Sequence, residues 1–455
     1  MKLVYNVKDK PKFGQLLIFA FQQLLAILAA TIAVPAIVGN GMSQSAALFG
    51  AGVGTLVYLL FTKFKSPVFL GSSFAFLGSM FAAFGGAASA AVGYLGIIIG
   101  AVFAGLVYVV IAIIVKFAGV KWINKLMPAV VIGPTVAIIG LSLAGNAIGD
   151  ALAGAYDADA GAYVMSANVW VALICALVTL VTVILCSVYG KKMTKLIPFI
   201  IGILAGYAVA AIFTVIGIKT GNDALKVINF DVFKNMKIFA VPEFTFLTAF
   251  TGFKAITGKY IAAIAVAYVP VAFVVFAEHI ADHKNLSSVI ESELLEEPGL
   301  HRTLLGDGVG SMVGAFFGGC PNTTYGESVG CVAITGNASI VTILTTAIMA
   351  IVISFFGPFV TFLSTIPACV MGGVCITLYG FIAVSGLKML QPVDLNDNRN
   401  LFTASVILIA GIGGMTLKIG QVTLTEIACA LILGIIVNLI CSCKKCKKAE
   451  EDKAE

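Results

Sequence analysis

The sequence predicts an all-α polytopic membrane protein with 14 transmembrane segments in a 7+7 inverted repeat, in which segments 3 and 10 are broken. Three observations predict this fold class: the composition, the succession of long apolar runs, and two sequence echoes seven runs apart. Of the 455 residues, 60% are hydrophobic and 11% are charged, whereas soluble domains carry about 25% charged residues. A soluble enzyme, a nucleic-acid-binding protein and a disordered protein are therefore excluded.

Apolar runs of roughly 20 residues, the length that crosses a bilayer, follow one another along the chain. The first seven lie at 14–38, 43–62, 66–84, 90–116, 126–147, 167–190 and 195–217. After a polar connection at 218–250, the second seven lie at 256–284, 299–319, 321–336, 338–358, 364–384, 401–416 and 422–442. No cleavable signal peptide is predicted, because the first apolar run is too long for one.

Lysine residues indicate the orientation in the membrane. Lys8, Lys10 and Lys12 precede the first run, and Lys444 and Lys445 follow the last. Because basic residues stay on the cytoplasmic side, both termini are expected in the cytoplasm, which requires an even number of crossings of the cytoplasmic membrane. The net charge of +6 is attributed to this orientation, and no nucleic-acid partner is expected.

The ten cysteines lie mostly inside apolar runs. We expect them to be small buried hydrophobic residues, not disulfides. The tail cluster Cys441, Cys443 and Cys446 could carry palmitoyl groups or a metal ion, and the sequence leaves its role open.

Two pairs of similar sequences indicate an internal repeat. The stretch 128–134 (PAVVIGP) resembles 367–373 (PACVMGG), and 67–74 (PVFLGSSF) resembles 321–328 (PNTTYGES). The members of each pair are separated by seven segments, an odd number, so the two halves would have opposite orientations in the membrane. Inverted repeats of this kind are typical of secondary transporters, which bind their substrate at the repeat interface near the membrane centre.

Segments 3 and 10 contain polar, glycine-rich stretches at 71–73 (GSS) and 322–326 (NTTYG). Serine, threonine and glycine are poor helix-interior residues. We therefore predict that each segment is a short extended strand followed by a half-helix, whose N-terminus offers unpaired N–H groups at the membrane centre. Ordinary loops or kinks are the alternative.

Acidic residues inside apolar segments are costly, so they mark functional sites. The candidates are Glu278, Asp282, Asp307, Glu327 and Glu426. Glu278 and Asp282 share one face of the eighth helix, because they are four residues apart. Two buried carboxylates, Glu278 and Glu327, could accept hydrogen bonds from a planar ligand with two N–H groups, and could also take up and release a proton.

The histidines of the eighth helix, His279 and His283, lie on the adjacent face. We interpret them as helix-end or packing residues, because the sequence supplies no convincing third metal ligand. No metal site and no catalytic constellation is predicted, so an intramembrane enzyme is not expected.

Several motifs together resemble the bacterial uracil permeases of the nucleobase–ascorbate transporter family, also called nucleobase:cation symporter-2. They are AEH at 277–279, GLHR at 299–302, NTTYGE at 322–327, GSSFAF at 71–76, and Gln22 in the first helix. The resemblance extends from about Leu16 to the end of the last apolar run.

The resemblance implies a division into two domains and a transport function. A core domain would comprise segments 1–4 (1–120) and 8–11 (251–360), and a gate domain segments 5–7 with the following loop (121–250) and 12–14 (361–443), before a cytoplasmic tail at 444–455. It also implies proton-coupled uptake of a nucleobase by an elevator-type movement of core against gate. A homodimer through the gate is possible, and no cofactor is expected beyond the coupling proton.

The matching motifs assign the family's binding residues to positions in this sequence. The resemblance implies that Glu278 and Glu327 accept the N–H groups of the base, and that backbone amides near Phe74 and Gly326 donate to its carbonyls. Phe74 would wall the ring, and Tyr325 and Ala30 would complete the pocket. The residues implied in proton coupling are Glu278, Asp282 and Asp307.

Three positions depart from the family pattern. Ser328 replaces a usual Asn, Gln23 replaces a common His, and Asp282 replaces a His found in some uracil permeases. Asp282 and Asp307 resemble the purine-transporting members, whereas Glu327 is typical of uracil carriers. Because Glu327 would touch the ligand, we predict uracil, with a xanthine or urate symporter as the alternative.

Two other transport classes, an anion carrier and a channel, fit the sequence less well. An anion carrier with the same repeat would need a cationic or neutral site facing the half-helix N-termini, and Glu327 argues against it. A channel would not require proton-titrating acids or two broken elements facing one pocket.

Overall fold

The computed structural model describes residues 3–119, 128–157, 162–165, 168–191, 193–419 and 422–441, most of them helical. The helices of the first half are α1 (Phe13–Val38), α2 (Gln44–Phe61), α3 (Leu77–Gly85), α4 (Ala90–Ala118), α5 (Ala129–Ser142), α6 (Ala144–Leu152), α7 (Val169–Tyr189), α8 (Met193–Leu196) and α9 (Pro198–Thr220). The polar connection contains α10 (Thr245–Ala249).

The second half continues with further helices. They are α11 (Gly258–Ile290), α12 (Leu300–Gly318), α13 (Gly326–Thr335), α14 (Ile340–Ile353), α15 (Gly357–Ser364), α16 (Ala368–Lys388), α17 (Asn398–Ile412) and α18 (Glu426–Cys441). Three antiparallel strand pairs are β1 (Leu70–Ser72) with β4 (Asn322–Thr324), β2 (Gly154–Asp157) with β3 (Ala162–Met165), and β5 (Leu417–Ile419) with β6 (Val422–Leu424). Of the cysteine cluster in the tail, Cys443 and Cys446 lie outside the described residues.

Within the described residues, eight helices are long and apolar enough to cross a membrane. They are α1, α2, α4, α5 continued by α6, α7, α9, α11 and α16. Shorter apolar helices include α3 with its preceding turn, α14, α17 and α18. Each of the fourteen segments defined above contains one of the helices, and the number of crossings itself stays a prediction. The protein is a multi-pass membrane protein.

The helices pack as two sets. The first set comprises α1 to α4 and α11 to α14, in which α12 packs against α2 and α4, and α14 packs against α1 and α2. The second set comprises α5 to α7, α9 and α16 to α18, in which α16 packs against α5, α6 and α7, and α17 packs against α5 and α18. Among the described residues, the two sets are joined by weaker contacts, such as those of α1 with α9 and of α11 with α18 and β6.

Glycines allow α2 and α12 to approach closely inside the first set. A Cβ atom on Gly54 would lie 2.8 Å from the carbonyl oxygen of Gly310. A Cβ atom on Gly50 would likewise collide with the carbonyl of Gly314. Membrane helices are held together largely by such close backbone packing, because water drives no association inside the bilayer.

Segments 3 and 10 each contain a three-residue strand followed by a short helix. β1 leads through a 3₁₀ turn at Phe74–Phe76 into α3, and β4 leads into α13. The two strands pair with Gly71 opposite Thr323, and all six strand residues are buried. The pairing supplies hydrogen bonds to extended backbone that could not face lipid.

Pro128 and Pro367 begin the first pair of echoing sequences and occupy equivalent positions in the structure. Each is the N-terminal cap of a helix, α5 in one case and α16 in the other. The two helices pack against each other, and a Cβ atom on Gly133 would lie 2.9 Å from the carbonyl oxygen of Gly386. The repeated sequence therefore begins a helix at both positions.

Side-chain caps mark the start of several helices. Ser43, Ser89, Asn168 and Thr257 each accept a hydrogen bond from a backbone N–H in the first turn of α2, α4, α7 and α11 respectively. Such caps pair N–H groups that have no partner inside the helix. By contrast, Tyr325 precedes α13 without a side-chain cap.

Candidate nucleobase-binding cavity

A cavity of about 460 Å³, here called the first cavity, lies between the two helix sets. Residues of α1, α11, α13 and the β1–α3 connection line one side, and residues of α5, α7, α9 and α16 line the other. It extends to the end of the bundle where α7 ends and α9 begins, near Ser187 and Pro198. Its volume is in the range of small-molecule sites.

Three acidic side chains line this cavity: Glu278 and Asp282 from α11 and Glu327 from α13. They are half-buried, since they face the cavity and not lipid. The four-residue spacing of Glu278 and Asp282 places both on the cavity face of α11, as the sequence predicts. The structure therefore brings together the two carboxylates expected to accept N–H groups.

The strand β4 is fixed by three consecutive side chains. Asn322 donates to the carbonyl oxygen of Gly50 on α2 at 3.2 Å, and the Thr323 hydroxyl donates to Asp307 on α12 at 3.3 Å. The Thr324 hydroxyl donates to Oδ2 of Asp282 on α11 at 2.8 Å. These contacts hold the start of α13, and thus Glu327, in a fixed position relative to α11.

The cavity lining also contains hydrogen-bond donors. Gly326 and Glu327 begin α13, where backbone N–H groups have no helical carbonyl partner. Ser73, which lines the cavity, is 1% exposed, and its hydroxyl has no partner among the described residues. A ligand with both N–H groups and carbonyl oxygens would find acceptors and donors in one site.

Two aromatic residues shape the site. The Phe74 ring lines the cavity and meets the Tyr379 ring edge-on, with 5.9 Å between centroids. The Tyr325 hydroxyl donates to the carbonyl oxygen of Ser72 at 2.8 Å, and its ring lies directly over Gly71, where any Cβ atom would collide with it. Tyr325 therefore ties α13 to β1 and offers its ring, not its hydroxyl, to the cavity.

Ala30 does not line the cavity, contrary to the expectation from the resemblance. It is 1% exposed and packs within the core of the first set. Ala26, one helical turn earlier on α1, lines the cavity instead. Gln23 on the same helix bonds to α13. A motif match in so uniform an apolar run cannot decide which alanine faces the cavity.

Asp307 also lies outside the cavity lining, although it adjoins the site through Thr323. It is fully buried, and Nδ1 of His279 lies 2.7 Å from its Oδ2. Nε2 of the same histidine lies 3.0 Å from the Thr303 hydroxyl. Oδ1 of Asp307 has no hydrogen-bond partner among the described residues, so the carboxylate is only half satisfied.

His283 continues this buried polar chain on α11. Its Nδ1–H donates to the carbonyl oxygen of His279 at 2.8 Å, and its Nε2 lies 2.7 Å from the Tyr58 hydroxyl. The two imidazole rings stack with centroids 4.0 Å apart. Both histidines are therefore packing residues inside the first set, and the helix-end alternative is wrong for them.

Sequence reasoning missed several lining residues, among them the polar residues Ser73, Thr323 and Lys195. The first two belong to the polar stretches that predicted the broken segments, so their polarity was a usable signal. Lys195 lies in the connection between α7 and α9, and nothing in its local sequence indicates a cavity. Glu426 lies elsewhere, in a separate cavity described below.

Comparison with known proteins identifies the family. Residues 14–420 match the model of a permease family, Xan_ur_permease. This chain belongs to that permease family. The resemblance to bacterial uracil permeases inferred from the sequence is confirmed.

Several relatives align with this chain over nearly its whole length. A uracil permease of Bacillus caldolyticus is 41% identical over 443 residues, which is 96% of this chain and 95% of the relative. A uracil permease of Bacillus subtilis (strain 168) is 38% identical with the same coverage, and one of Escherichia coli (strain K12) is 34% identical, covering 96% and 93%. The protein is a transmembrane transporter and not an enzyme.

Solved structures of other transporters share the fold of this permease. The transmembrane domain of a cyanobacterium bicarbonate transporter, BicA, has a TM-score of 0.63 at 15% identity and covers 96% of this chain and 100% of its own. The murine anion transporter Slc26a9 in the inward-facing state has a TM-score of 0.64 at 12% identity, covering 95% and 69%. At these identities the likeness concerns the fold alone.

Proposed function

We propose that this protein is a proton-coupled uracil symporter of the cytoplasmic membrane. The observation that carries the proposal is that Glu278 and Glu327 line one cavity together with Phe74. The curated relatives at 34–41% identity, which are named uracil permeases, support the same substrate.

The cavity offers chemistry that is complementary to uracil. Uracil is planar, with two N–H donors and two carbonyl acceptors on its ring. Glu278 and Glu327 accept from the N–H groups, and the first N–H groups of α13 with the Ser73 hydroxyl donate to the carbonyls. The Phe74 ring walls one edge of the site, where an aromatic contact adds about 1 kcal/mol.

Proton coupling follows from the cost of a buried charge. When uracil leaves, Glu278 loses its N–H partner while it remains at membrane depth, where an unpaired carboxylate is expensive. Uptake of a proton removes that cost and allows the empty site to return. Asp282 and Asp307 accept hydrogen bonds next to the site and take part in this exchange.

The movement is an elevator-type displacement of a core domain against a gate domain. The packing of the helices as two sets joined by weaker contacts supports a core of segments 1–4 and 8–11 and a gate of segments 5–7 and 12–14. In this arrangement fourteen segments form a 7+7 inverted repeat and both termini are cytoplasmic. The first cavity then opens to the cytoplasm, and dimerisation occurs through the gate.

The test is uptake of labelled uracil into proteoliposomes under an inward proton gradient, with excess unlabelled xanthine as competitor. We expect gradient-dependent uptake that xanthine does not reduce. Glu278→Gln should abolish the dependence on the gradient, whereas Glu296→Gln, which changes an exposed acid in the α11–α12 connection, should transport normally. Normal proton-coupled uptake by Glu278→Gln would refute the role of that residue.

A purine is the second candidate substrate, because Asp282 lines the cavity beside Glu278. Uptake of xanthine but not uracil in the same assay would favour it. An anion carrier is the third, and three carboxylates in the first cavity argue against it, since they would repel an anionic ligand.

A further inference from the structure

A second cavity, of about 360 Å³, lies between the two helix sets at the end opposite to the opening of the first cavity. Phe74 lines both cavities. Its side chain is 9% exposed and is held edge-on against Tyr379 of α16. One aromatic ring therefore stands between the two spaces.

The walls of the second cavity combine aromatic and polar groups. The first helix set supplies Phe74 and Phe81, and the second supplies Ser142, Asn146 and Glu426. Among the residues that the structure describes, no hydrogen bond or ion pair occupies the side chains of Asn146 and Glu426. The Ser142 hydroxyl donates to the carbonyl oxygen of Ile139 at 3.3 Å and keeps its own oxygen free to accept.

We propose that the second cavity is a further nucleobase-binding subsite, in which Glu426 accepts a ring N–H and the Asn146 amide donates to a neighbouring ring carbonyl. The inference rests on the function proposed above and adds a second site to it. A carboxylate and an amide on one wall match the alternating N–H and C=O groups along one edge of a pyrimidine base. Phe81 and Phe74 supply the apolar faces that a flat heterocycle covers.

Other occupants fit this chemistry less well. An anion would be repelled by Glu426, and the second cavity contains no basic lining residue among those described. A hard cation such as Ca²⁺ requires about six to eight oxygen ligands, whereas the lining offers one carboxylate, one amide and one hydroxyl. A neutral, planar ring with donors and acceptors is the class that uses every polar group present.

The position of the subsite gives it a role in transport. Because both cavities exist in one conformation and share Phe74, a base at Glu426 and a base at Glu327 can be bound at the same time. Phe74 lines both cavities, so displacement of a base past its ring would load the main site. Glu426 is then a capture residue, distinct from the acids of the first cavity.

The test is equilibrium binding of labelled uracil to the purified full-length protein in nanodiscs. We expect the unmodified protein to approach about two molecules per chain, the second at least tenfold weaker than the first. Glu426→Gln and, independently, Asn146→Leu should bind about one molecule, with the tighter affinity unchanged. Glu327→Gln should lose the tighter molecule and keep the weaker one.

Matched controls and contrary outcomes separate this inference from the proposed function. Glu243→Gln removes an exposed acid from the polar connection, outside both cavities, and should retain both molecules. Glu426→Asp keeps the carboxylate and should retain weak binding of the second, which guards against a folding defect in Glu426→Gln. Saturation at one molecule that Glu426→Gln does not alter would overturn the subsite alone. Absence of uracil binding in every variant would overturn the proposed function with it.

Discussion

The amide of Gln23 on α1 donates to the hydroxyl of Ser328 on α13. The same hydroxyl accepts from the backbone N–H of Phe69 at 3.0 Å, so it joins α1, α13 and the chain leading into β1. Both Gln23 and Ser328 depart from the family pattern noted in the sequence. The two residues are hydrogen-bond partners. The long side chain of Gln23 reaches the short side chain of Ser328, which replaces the usual Asn.

This contact predicts that Ser328→Ala destabilises the protein by about 1–3 kcal/mol, because it leaves the buried N–H of Phe69 without an acceptor. The Gln23 amide loses its hydroxyl partner and keeps only the backbone carbonyl oxygen of residue 328, at 3.3 Å. Gln23→Leu should cost less, since the Phe69 bond survives. The measurement is thermal unfolding in detergent for both single variants and the double variant. The double variant should cost at least about 0.5 kcal/mol less than the sum of the single variants, and strict additivity would show that the two residues are not coupled.

The buried pair of His279 and Asp307 gives a second prediction. His279→Leu leaves a fully buried carboxylate with one weak donor, Thr323, and should cost about 3 kcal/mol or more in stability. Thr303→Val removes the hydroxyl that lies beside Nε2 of His279. The loss of this one hydrogen bond should cost about 1 kcal/mol in stability. Thermal unfolding of the two variants compares these costs.

Asp307→Asn separates the structural and proton-coupling roles of Asp307. The amide keeps the shape of the side chain and can still bond to His279, so this variant should fold with a stability close to that of the unmodified protein. Uptake driven by a proton gradient should be lost, because an amide does not titrate. Full proton-coupled uptake by this variant would assign Asp307 to packing alone.

The sequence predicted the positions of most helices because apolar runs and flanking charges are local properties. It also predicted that Glu278 and Asp282 share one face of α11, since their four-residue spacing follows from helix geometry alone. The pairing of β1 with β4 could not be derived, because it joins residues about 250 positions apart. The same holds for Lys195 and Ser73, whose roles depend on which helices surround the cavity.

The ion pair between Lys65 and Glu297 predicts a pH dependence outside the membrane. Lys65 precedes β1 and Glu297 lies in the connection between α11 and α12. The hydrogen bond from Lys65, followed by its positive charge, lowers the pKa of Glu297 below its ordinary value of 4.5. Because the folded-state pKa is depressed, the pair stabilises the protein above pH 4.5 and this contribution disappears as the pH falls through the lowered pKa.

The measurement is the difference in melting temperature between the unmodified protein and Glu297→Gln. We expect a small positive difference near neutral pH, which shrinks to zero in acid and also shrinks at high salt, because both groups are partly exposed. Glu296→Gln, the neighbouring exposed acid, should show no such pH-dependent difference. A difference that persists below the lowered pKa would rule out the ion pair as its source.

The contrast between Ala26 and Ala30 on α1 gives the last prediction. Ala26 lines the first cavity, whereas Ala30 is packed in the core one turn later. Ala26→Val adds two methyl groups at the cavity wall, so uracil should bind at least tenfold more weakly while the melting temperature changes little. Ala30→Val forces the same volume into a filled core, which costs about 1–3 kcal/mol, and the properly folded fraction should bind uracil with nearly unchanged affinity. The measurements are the dissociation constant for uracil and the melting temperature of both variants. Weaker binding by Ala30→Val alone would show that Ala30, not Ala26, lines the binding site.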